Sequence, residues 1–246
     1  MKDLISIFFY ILSFLIPQSK ESVLLYHSIS GMNSKQDSFN LNISTELFKK
    51  HMAYLAGLRQ KREFLVTFDD GFENFFTNAY PVLLRYNIKS ILFIAVDFVD
   101  KKISLSDFCP ANVEIRPLSW EQIKEISNNG IEIGSHSLSH PDLLAVDSNT
   151  AKSEIAGSKE RTEAIIGKKI KYFAYPYGSK RSYNSAIKKI VKESGYEKAY
   201  SNIMGFNTKD TDPYDLRRIR IYTNDNMFRF KMKTRGAYNW VDFLIC

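Results

Sequence analysis

Seven short runs of apolar, β-branched and aromatic residues alternate with helical patterns along this 246-residue chain. The runs lie near 22–27, 63–68, 90–95, 131–135, 170–175, 198–201 and 216–221. Strands that alternate with helices predict an α/β fold, with a parallel sheet inside and helices outside, and seven such strands suit a distorted (β/α) barrel. With 44% hydrophobic residues and no internal repeat of fixed period, the chain can build one domain with a complete core.

Local residues indicate where two of the helices begin and end. The sequence Ser-Trp-Glu-Gln that starts at Ser119 is a capping-box pattern, and Gly130 would end the helix that it opens. A longer helical segment near 147–166 stops at Gly167. Residues 99–118 have no regular pattern, so they predict a loop over one rim of the barrel.

Two acidic side chains follow the second strand run, within residues 67–71, TFDDG. Asp69 and Asp70 would emerge at the carboxyl end of the strand, where Gly71 lets the backbone turn away. Neighbouring side chains of extended backbone point in opposite directions, so one carboxylate can bind a metal while the other handles protons. Taken alone, an Asp-Asp-Gly sequence is often only a turn.

A second polar segment follows the fourth strand run, where His136 and His140 are closed off by Pro141. This spacing brings two imidazoles to one side of a turn, and two His with one carboxylate form the protein part of an open zinc site. Water in the remaining position would lose a proton near neutral pH and become a nucleophile. An isolated His pair is more often surface or capping chemistry, but two such segments that each follow a strand are much more specific together.

These two segments resemble the first two motifs of the polysaccharide deacetylase family, carbohydrate esterase family 4, also called the chitooligosaccharide deacetylase homology domain. The resemblance covers most of residues 21–222. It implies a distorted (β/α)7 barrel of the polysaccharide deacetylase type. It also implies that Asp69 is the general base and that one divalent metal ion, expected to be zinc, is bound by Asp70, His136 and His140.

Residues 173–178, FAYPYG, resemble the third motif of the family, which forms one wall of the substrate groove. The resemblance implies that the backbone N–H of Tyr177 contacts the oxyanion and that Tyr175 and Pro176 lie at the substrate. Tyrosine rings beside the site would also suit a sugar, because the apolar C–H faces of a pyranose stack on aromatic rings.

Two departures from the family pattern concern the groups around the base. The third motif has Ala174 where the family usually has the arginine that orients the base. An arginine from elsewhere could replace it, and one from 217–220 that reaches Asp69 would indicate an altered active site and not a degraded one. The family's last motif usually supplies a histidine as general acid, but no histidine follows His140. The donor of the proton to the leaving amine therefore stays open between His27, protonated Asp69 and water.

The first strand resembles that of a subgroup of these deacetylases that acts on exopolysaccharide and tends to have an alanine in the third motif. His27 would then lie at the metal end of the barrel. It is interpreted either as a catalytic residue or as a hydrogen-bonded structural histidine near the pocket floor. His51 lies in a helical pattern and is interpreted as a surface residue.

Residues 1–20 are interpreted as an apolar segment that precedes a catalytic domain at 21–246. The apolar stretch at 4–16 is short for a membrane span, and its flanking residues fit a signal peptide poorly. The segment is either an export signal or anchor, or a helix packed on the barrel or on the membrane surface. We therefore expect a secreted or membrane-anchored protein of the cell envelope, with a cytoplasmic, membrane-peripheral protein as the alternative. Cys109 and Cys246 are expected to be free thiols.

The chain carries a net charge of +7, with many basic residues near its C-terminus. They are Arg217, Arg218, Arg220, Arg229, Lys231, Lys233 and Arg235. Basic runs are usually solvated faces, but positive potential also attracts an anionic glycan, a lipid-diphosphate carrier or an acidic membrane surface. Arg218 and Arg220 are therefore candidate substrate-binding residues. No nucleic-acid motif accompanies the charge, so nucleic acid is not an expected partner.

The motifs together predict a metal-dependent hydrolase that removes N-acetyl groups from amino sugars. The expected substrate is an N-acetylated glycan or a lipid-linked sugar, with peripheral membrane contact. Two alternatives stay open. One is a deformylase or other amide hydrolase that acts on a lipid-linked sugar. The other is a non-catalytic, metal-containing glycan-binding protein, which Ala174 and the absent late histidine would favour.

Overall fold

The fold is organised around one seven-stranded parallel sheet in the computed structural model, which describes residues 21–31, 40–60, 62–107 and 115–237. The strands are β1 (Glu21–Tyr26), β2 (Ser28–Ile29), β3 (Asn42–Ile43), β4 (Glu63–Phe68), β5 (Ser90–Ile94), β6 (Glu132–Ser135), β7 (Tyr172–Ala174), β8 (Lys198–Tyr200) and β9 (Ile219–Arg220). Their order in the large sheet is β8-β7-β6-β5-β4-β1-β9, and β2 and β3 form a separate pair. All seven predicted strand runs therefore contribute to the sheet.

Helices connect most of these strands, as the alternating pattern predicts. They are α1 (Thr45–Leu58), α2 (Tyr80–Tyr86), α3 (Val96–Val99), α4 (Trp120–Asn128), α5 (Ser148–Ile166), α6 (Ser185–Glu193) and α7 (Met227–Thr234), with a π-helical turn at Phe75–Ala79 and a 3-10 turn at Leu105–Asp107. The capping box at Ser119 is confirmed, because its side chain accepts from Gln122 N–H while the Gln122 side chain accepts from Ser119 N–H. Gly167 ends α5 with φ 74°, in the left-handed region that glycine tolerates.

The sheet closes on itself through the segment that precedes β9. Tyr200 at the end of β8 forms a parallel bridge with Leu216, and Leu216 N–H donates to Ala199 at 2.9 Å. Since β9 pairs with β1 on its other side, the two edges of the sheet meet. This closure confirms the distorted (β/α)7 barrel, and it places the carboxyl ends of the strands around a single opening.

The predicted rim loop is only partly irregular. It begins at the end of α3, includes the 3-10 turn, and returns to the barrel where Pro117 bridges Phe72 and Leu118 N–H donates to Gly71 at 2.9 Å. Residues 108–114, which include Cys109, lie outside the described residues, as do Cys246 and residues 1–20. Within the described ranges, no helix combines the length and the apolar character that crossing a membrane requires.

His51 is a buried residue of α1, so its interpretation as a surface residue is wrong. Its ring is 0% exposed and stacks on Phe230 of α7, with 3.7 Å between ring centroids. Its Nδ1 lies 3.0 Å from the Tyr26 hydroxyl. The error arose because α7, which covers this face of α1, is distant in sequence.

Phe93 fills the barrel interior beside a glycine of the neighbouring strand. A Cβ added at Gly134 would lie 2.3 Å from the Phe93 ring, which a folded chain cannot accommodate without moving the ring. We expect Gly134→Ala to destabilise the protein by about 1–3 kcal/mol through overpacking, measured by urea unfolding. Gly57→Ala in α1 is the matched control, because nothing lies within 4 Å of the added methyl group, and it should be neutral or slightly stabilising. Equal effects of the two variants would contradict the packing argument.

Candidate active site

Polar residues from several strands meet at the carboxyl-terminal opening of the barrel. Asp69 and Asp70 follow β4, His136 follows β6, and His27 follows β1. Because parallel strands end at the same side of a barrel, residues that are far apart in sequence come together here. His140 reaches the same place through the loop that begins at His136.

Three of these side chains form a compact set of metal-ligand atoms. Asp70 Oδ1 lies 3.6 Å from His136 Nε2 and 3.7 Å from His140 Nε2. The three donor atoms all lie within 4.8 Å of one another, and each residue is buried. Atoms that bind one tetrahedral zinc ion at its usual bond lengths are about 3.4 Å apart. The set therefore fits a single divalent cation, as the sequence predicted.

A hydrogen bond presents the His136 imidazole in the orientation that a cation requires. His136 Nδ1 lies 2.8 Å from the carbonyl oxygen of Ala174, which can only accept, so Nδ1 carries the proton and Nε2 keeps its lone pair. His140 N–H donates to Ser137 Oγ at 3.0 Å, which tightens the loop between the two histidines. The position of Ala174 thus contributes a backbone acceptor although its side chain is small.

The backbone is strained at and around the candidate metal ligands. Asp70, Ser137, His140 and Tyr177 all have φ in the left-handed region, at 76°, 67°, 59° and 59°. Each such residue other than glycine costs about 1–3 kcal/mol, and such strain persists where the surrounding structure holds it in place. The cost is concentrated at the opening of the barrel, which is a common property of functional sites.

Burial disfavours the charged form of every proposed ligand. Burial and the neighbouring Asp69 raise the pKa of Asp70 well above its ordinary value. Desolvation lowers the pKa of His136, and desolvation and the nearby His136 lower the pKa of His140 well below its ordinary value. In the described part of the chain, the ion-pair contacts of Asp70 are to these two imidazoles. A divalent cation would compensate the buried carboxylate and would bind the neutral imidazoles directly.

Asp69 is paired with Arg218, which takes the place of the arginine that the third motif lacks at Ala174. Arg218 Nη1 donates to Asp69 Oδ1 at 2.7 Å and Nη2 donates to Oδ2 at 2.8 Å, a bidentate pair in which both residues are buried. Burial alone would raise the pKa of Asp69, but the positive charge of Arg218 and the nearby His136 hold it at about 2. The carboxylate is therefore ionised throughout the neutral range.

The guanidinium of Arg218 is itself fixed by its other donors. Nε donates to the Ser201 carbonyl at 2.8 Å, and Nη2 donates to Asn202 Oδ1 at 2.6 Å. Since Arg218 is 0% exposed and its fork faces Asp69, the expectation that it binds substrate is wrong. It is instead the bidentate partner of the Asp69 carboxylate. Arg220 is half-buried, and its guanidinium lies 5.1 Å from the centre of the Tyr222 ring.

The residues of the third motif lie partly in the core and partly at the opening of the barrel. Tyr175 is 0% exposed, stacks on Tyr183 at 4.1 Å and donates its hydroxyl to Tyr214, so the expectation that it contacts substrate is also wrong. Pro176 is buried as well. Tyr177 is 47% exposed, with its ring 5.0 Å from that of His140. Only Tyr177 of this motif presents a large surface to solvent at the opening.

Asn202 connects the two sides of the site, and the sequence analysis did not identify it. Its Oδ1 accepts from Arg218, while its Nδ2 donates to the Tyr177 carbonyl at 2.8 Å. Its N–H also donates to the Gly178 carbonyl at 2.7 Å. The available signal was its position directly after the β8 run, where a parallel barrel places polar residues at the opening.

The charged groups of the site change the pKa of His27. Desolvation lowers the pKa of its ring to about 3, and the positive charges of Arg220 and Arg218 add to this effect, while Asp69 opposes it. The imidazole is therefore neutral near pH 7.

A closed (β/α)7 barrel with an Asp-His-His set and a paired carboxylate at its opening defines a barrel hydrolase with a candidate mononuclear metal centre. The family model described as polysaccharide deacetylase matches residues 57–199, more than half of the chain. The chain therefore belongs to the polysaccharide deacetylase family. The family comprises hydrolases that act on N-acetyl amide bonds of carbohydrates, and this chain is such an enzyme.

Two relatives and one solved structure illustrate the similarity. The provisionally named polysaccharide deacetylase YxkH of Bacillus subtilis is 28% identical over 82% of this chain and 72% of its own length. Poly-β-1,6-N-acetyl-D-glucosamine N-deacetylase of Staphylococcus epidermidis is 26% identical over 80% of this chain and 73% of its own length. The structure of the Streptococcus pyogenes deacetylase PplD has a TM-score of 0.76 at 21% identity and covers 89% of this chain and 99% of that one. This last likeness supports the fold.

Proposed function

We propose that this enzyme removes N-acetyl groups from glucosamine residues of a poly-N-acetylglucosamine type of glycan in the cell envelope. The observation that carries the proposal is the convergence of Asp70, His136 and His140 beside the ion pair of Asp69 and Arg218. The choice of glycan is supported by the Staphylococcus epidermidis relative, whose name gives that polymer as its substrate. The lipid-linked sugar and peripheral membrane contact expected from the sequence have no comparable support.

Zinc is the proposed cation, because two imidazoles and one carboxylate form a typical open site for catalytic zinc. When bound, such a cation polarises the amide carbonyl and promotes ionisation of water near neutral pH. The ligands would be Asp70 and the Nε2 atoms of His136 and His140. The tautomer fixed by Ala174 leaves His136 ready for this role.

Asp69 is the proposed general base that takes a proton from the attacking water. The bidentate contact with Arg218 keeps its carboxylate ionised and fixed in direction, at the cost of some basicity. The backbone N–H of Tyr177 is the proposed donor to the oxyanion that forms as water attacks the acetyl carbonyl. The hydrogen bond from Asn202 to the Tyr177 carbonyl helps to fix the peptide backbone there.

The proposed proton donor to the leaving amine is the carboxyl group of Asp69, which has just accepted a proton. His27 is neutral near pH 7 and so holds no extra proton to give. We expect His27→Gln to lower kcat for acetate release by less than about tenfold, because the base and its partner are unchanged. A loss as large as that of an Asp69 variant would instead identify His27 as the donor.

Acetate release from defined oligomers tests the function. We expect the purified protein, supplied with zinc, to release acetate from β-1,6-linked N-acetylglucosamine oligomers faster than from β-1,4-linked oligomers, and a chelator to stop the release. Release that is faster from β-1,4-linked oligomers would overturn the choice of glycan. Binding of both oligomers with no acetate release would instead support a non-catalytic glycan-binding protein.

A further inference from the structure

The loop that joins His136 to His140 rests on α5. Glu154 of this helix accepts three hydrogen bonds from the loop: its Oε2 accepts from Leu138 N–H at 2.9 Å and from Ser139 N–H at 2.8 Å, and its Oε1 accepts from Ser139 Oγ at 2.7 Å. We propose that Glu154 is a positioning residue that holds the two histidines at the separation a divalent cation requires.

Two further residues on the same face of α5 contact the same segment. Residues three and four positions apart share a helix face, as Glu154, Gly157 and Ser158 do. A Cβ added at Gly157 would lie 3.0 Å from Leu138 Cδ1, so the loop's leucine sits against the bare backbone of the helix. The Ser158 hydroxyl is hydrogen-bonded to that of Ser135, the residue before His136. The helix therefore holds the chain on both sides of the first histidine.

The loop needs this support because its backbone is strained. Ser137 and His140 both have φ in the left-handed region. The carbonyls of Ser137 and Leu138 accept from Val96 N–H and Asp97 N–H of α3, and Glu154 accepts from the N–H groups of Leu138 and Ser139. A carboxylate that accepts two backbone N–H groups and one hydroxyl forms strong, charge-assisted hydrogen bonds. Removing it would let the loop relax and would change the distance between the imidazoles.

The inference rests on the proposed metal site and is tested first by metal affinity. Groups that orient metal ligands typically change metal affinity by about 10–100-fold when they are removed. We expect Glu154→Ala to weaken zinc binding by about that factor, measured by calorimetry on the full chain. Acetate release by the variant should recover as the zinc concentration is raised. Glu160→Ala is the control, because Glu160 is an exposed residue of the same helix, and it should bind zinc like the unsubstituted protein.

Two additional variants separate positioning from general stability. Glu154→Gln keeps an acceptor for the backbone N–H groups, so it should restore most of the affinity lost in Glu154→Ala. Gly157→Ala should weaken zinc binding several-fold, because the added methyl group pushes on Leu138 at 3.0 Å. Urea unfolding of the metal-free variant measures how far the gain in helix propensity offsets this contact. If Glu154→Ala does not fold, the zinc affinity of Gly157→Ala tests the positioning role of α5 by itself.

The outcomes distinguish this inference from the proposed function. Zinc affinities of Glu154→Ala and Gly157→Ala equal to that of the unsubstituted protein would overturn the inference and leave the metal site intact. If Glu154→Ala loses zinc affinity and Glu154→Gln restores none of it, the hydrogen bonds from the loop to Glu154 do not explain the effect, and the inference is overturned. Failure of the unsubstituted protein to bind zinc would overturn both the inference and the metal site.

Discussion

Asp69→Asn is expected to lower kcat for acetate release by about 10³-fold while zinc binding changes little. The amide has nearly the shape of the carboxylate, but it cannot accept the proton of the attacking water, and general-base catalysis typically contributes about 10²–10⁴-fold. Asp69 is outside the Asp-His-His ligand set, so the cation should still bind. The measurement pairs acetate release with calorimetric zinc titration of the same preparation.

Asp70→Asn is the matched comparison, because it changes the neighbouring carboxylate in the same way. It should lose most zinc affinity, since the ligand loses its charge, and it should lose activity for that reason. Substantial acetate release by Asp69→Asn would show that the base is assigned to the wrong aspartate. Loss of zinc from Asp69→Asn would show that both carboxylates bind the metal.

Arg218→Met is expected to destabilise the protein by about 3–5 kcal/mol near pH 7 and to abolish most activity. The substitution leaves the Asp69 carboxylate buried without its partner, and breaking a buried ion pair by removing one member is strongly destabilising. It also removes the group that fixes the direction of the Asp69 carboxylate, the proposed base. Urea unfolding and acetate release measure the two effects, and Arg217→Met is the control, because Arg217 is the exposed neighbour in sequence.

The destabilisation in Arg218→Met should depend on pH. In the unsubstituted protein the pKa of Asp69 is about 2, below its value of about 3.9 in an unfolded chain. The pair therefore contributes stability above about pH 4, and this contribution is lost as the pH falls from about 4 to about 2. Without Arg218, burial should raise the pKa of Asp69, so the variant loses stability as the pH rises through the unfolded value. The stability difference should be large at pH 7 and should shrink as the pH falls from about 4 to about 2; a difference that does not change with pH would contradict the pairing.

The strands and the candidate metal ligands could be predicted because their signals are local. Each strand run is a few residues of apolar alternation, and Asp70 and His136 directly follow such runs. Once the strands are parallel, their carboxyl ends must share one opening, so the convergence of the ligands follows from topology. The capping box at Ser119 is local for the same reason.

The remaining features depend on contacts between distant segments. The sequence offered Arg217, Arg218 and Arg220 as similar candidates, and only the closure of the barrel selects Arg218 for Asp69. The burial of His51 depends on α7, and that of Tyr175 depends on Tyr183. No short sequence pattern predicts such contacts, because neither residue of a pair stands out within its own segment.

A crystal structure of the zinc-loaded protein, with anomalous diffraction measured at the zinc edge, tests the central claim most directly. We expect one anomalous peak at the barrel opening, about 2.0–2.2 Å from Asp70, His136 Nε2 and His140 Nε2, with Asp69 bound to Arg218 and not to the metal. A zinc ion bound elsewhere, or acetate release by a protein with no zinc at these three residues, would contradict the account.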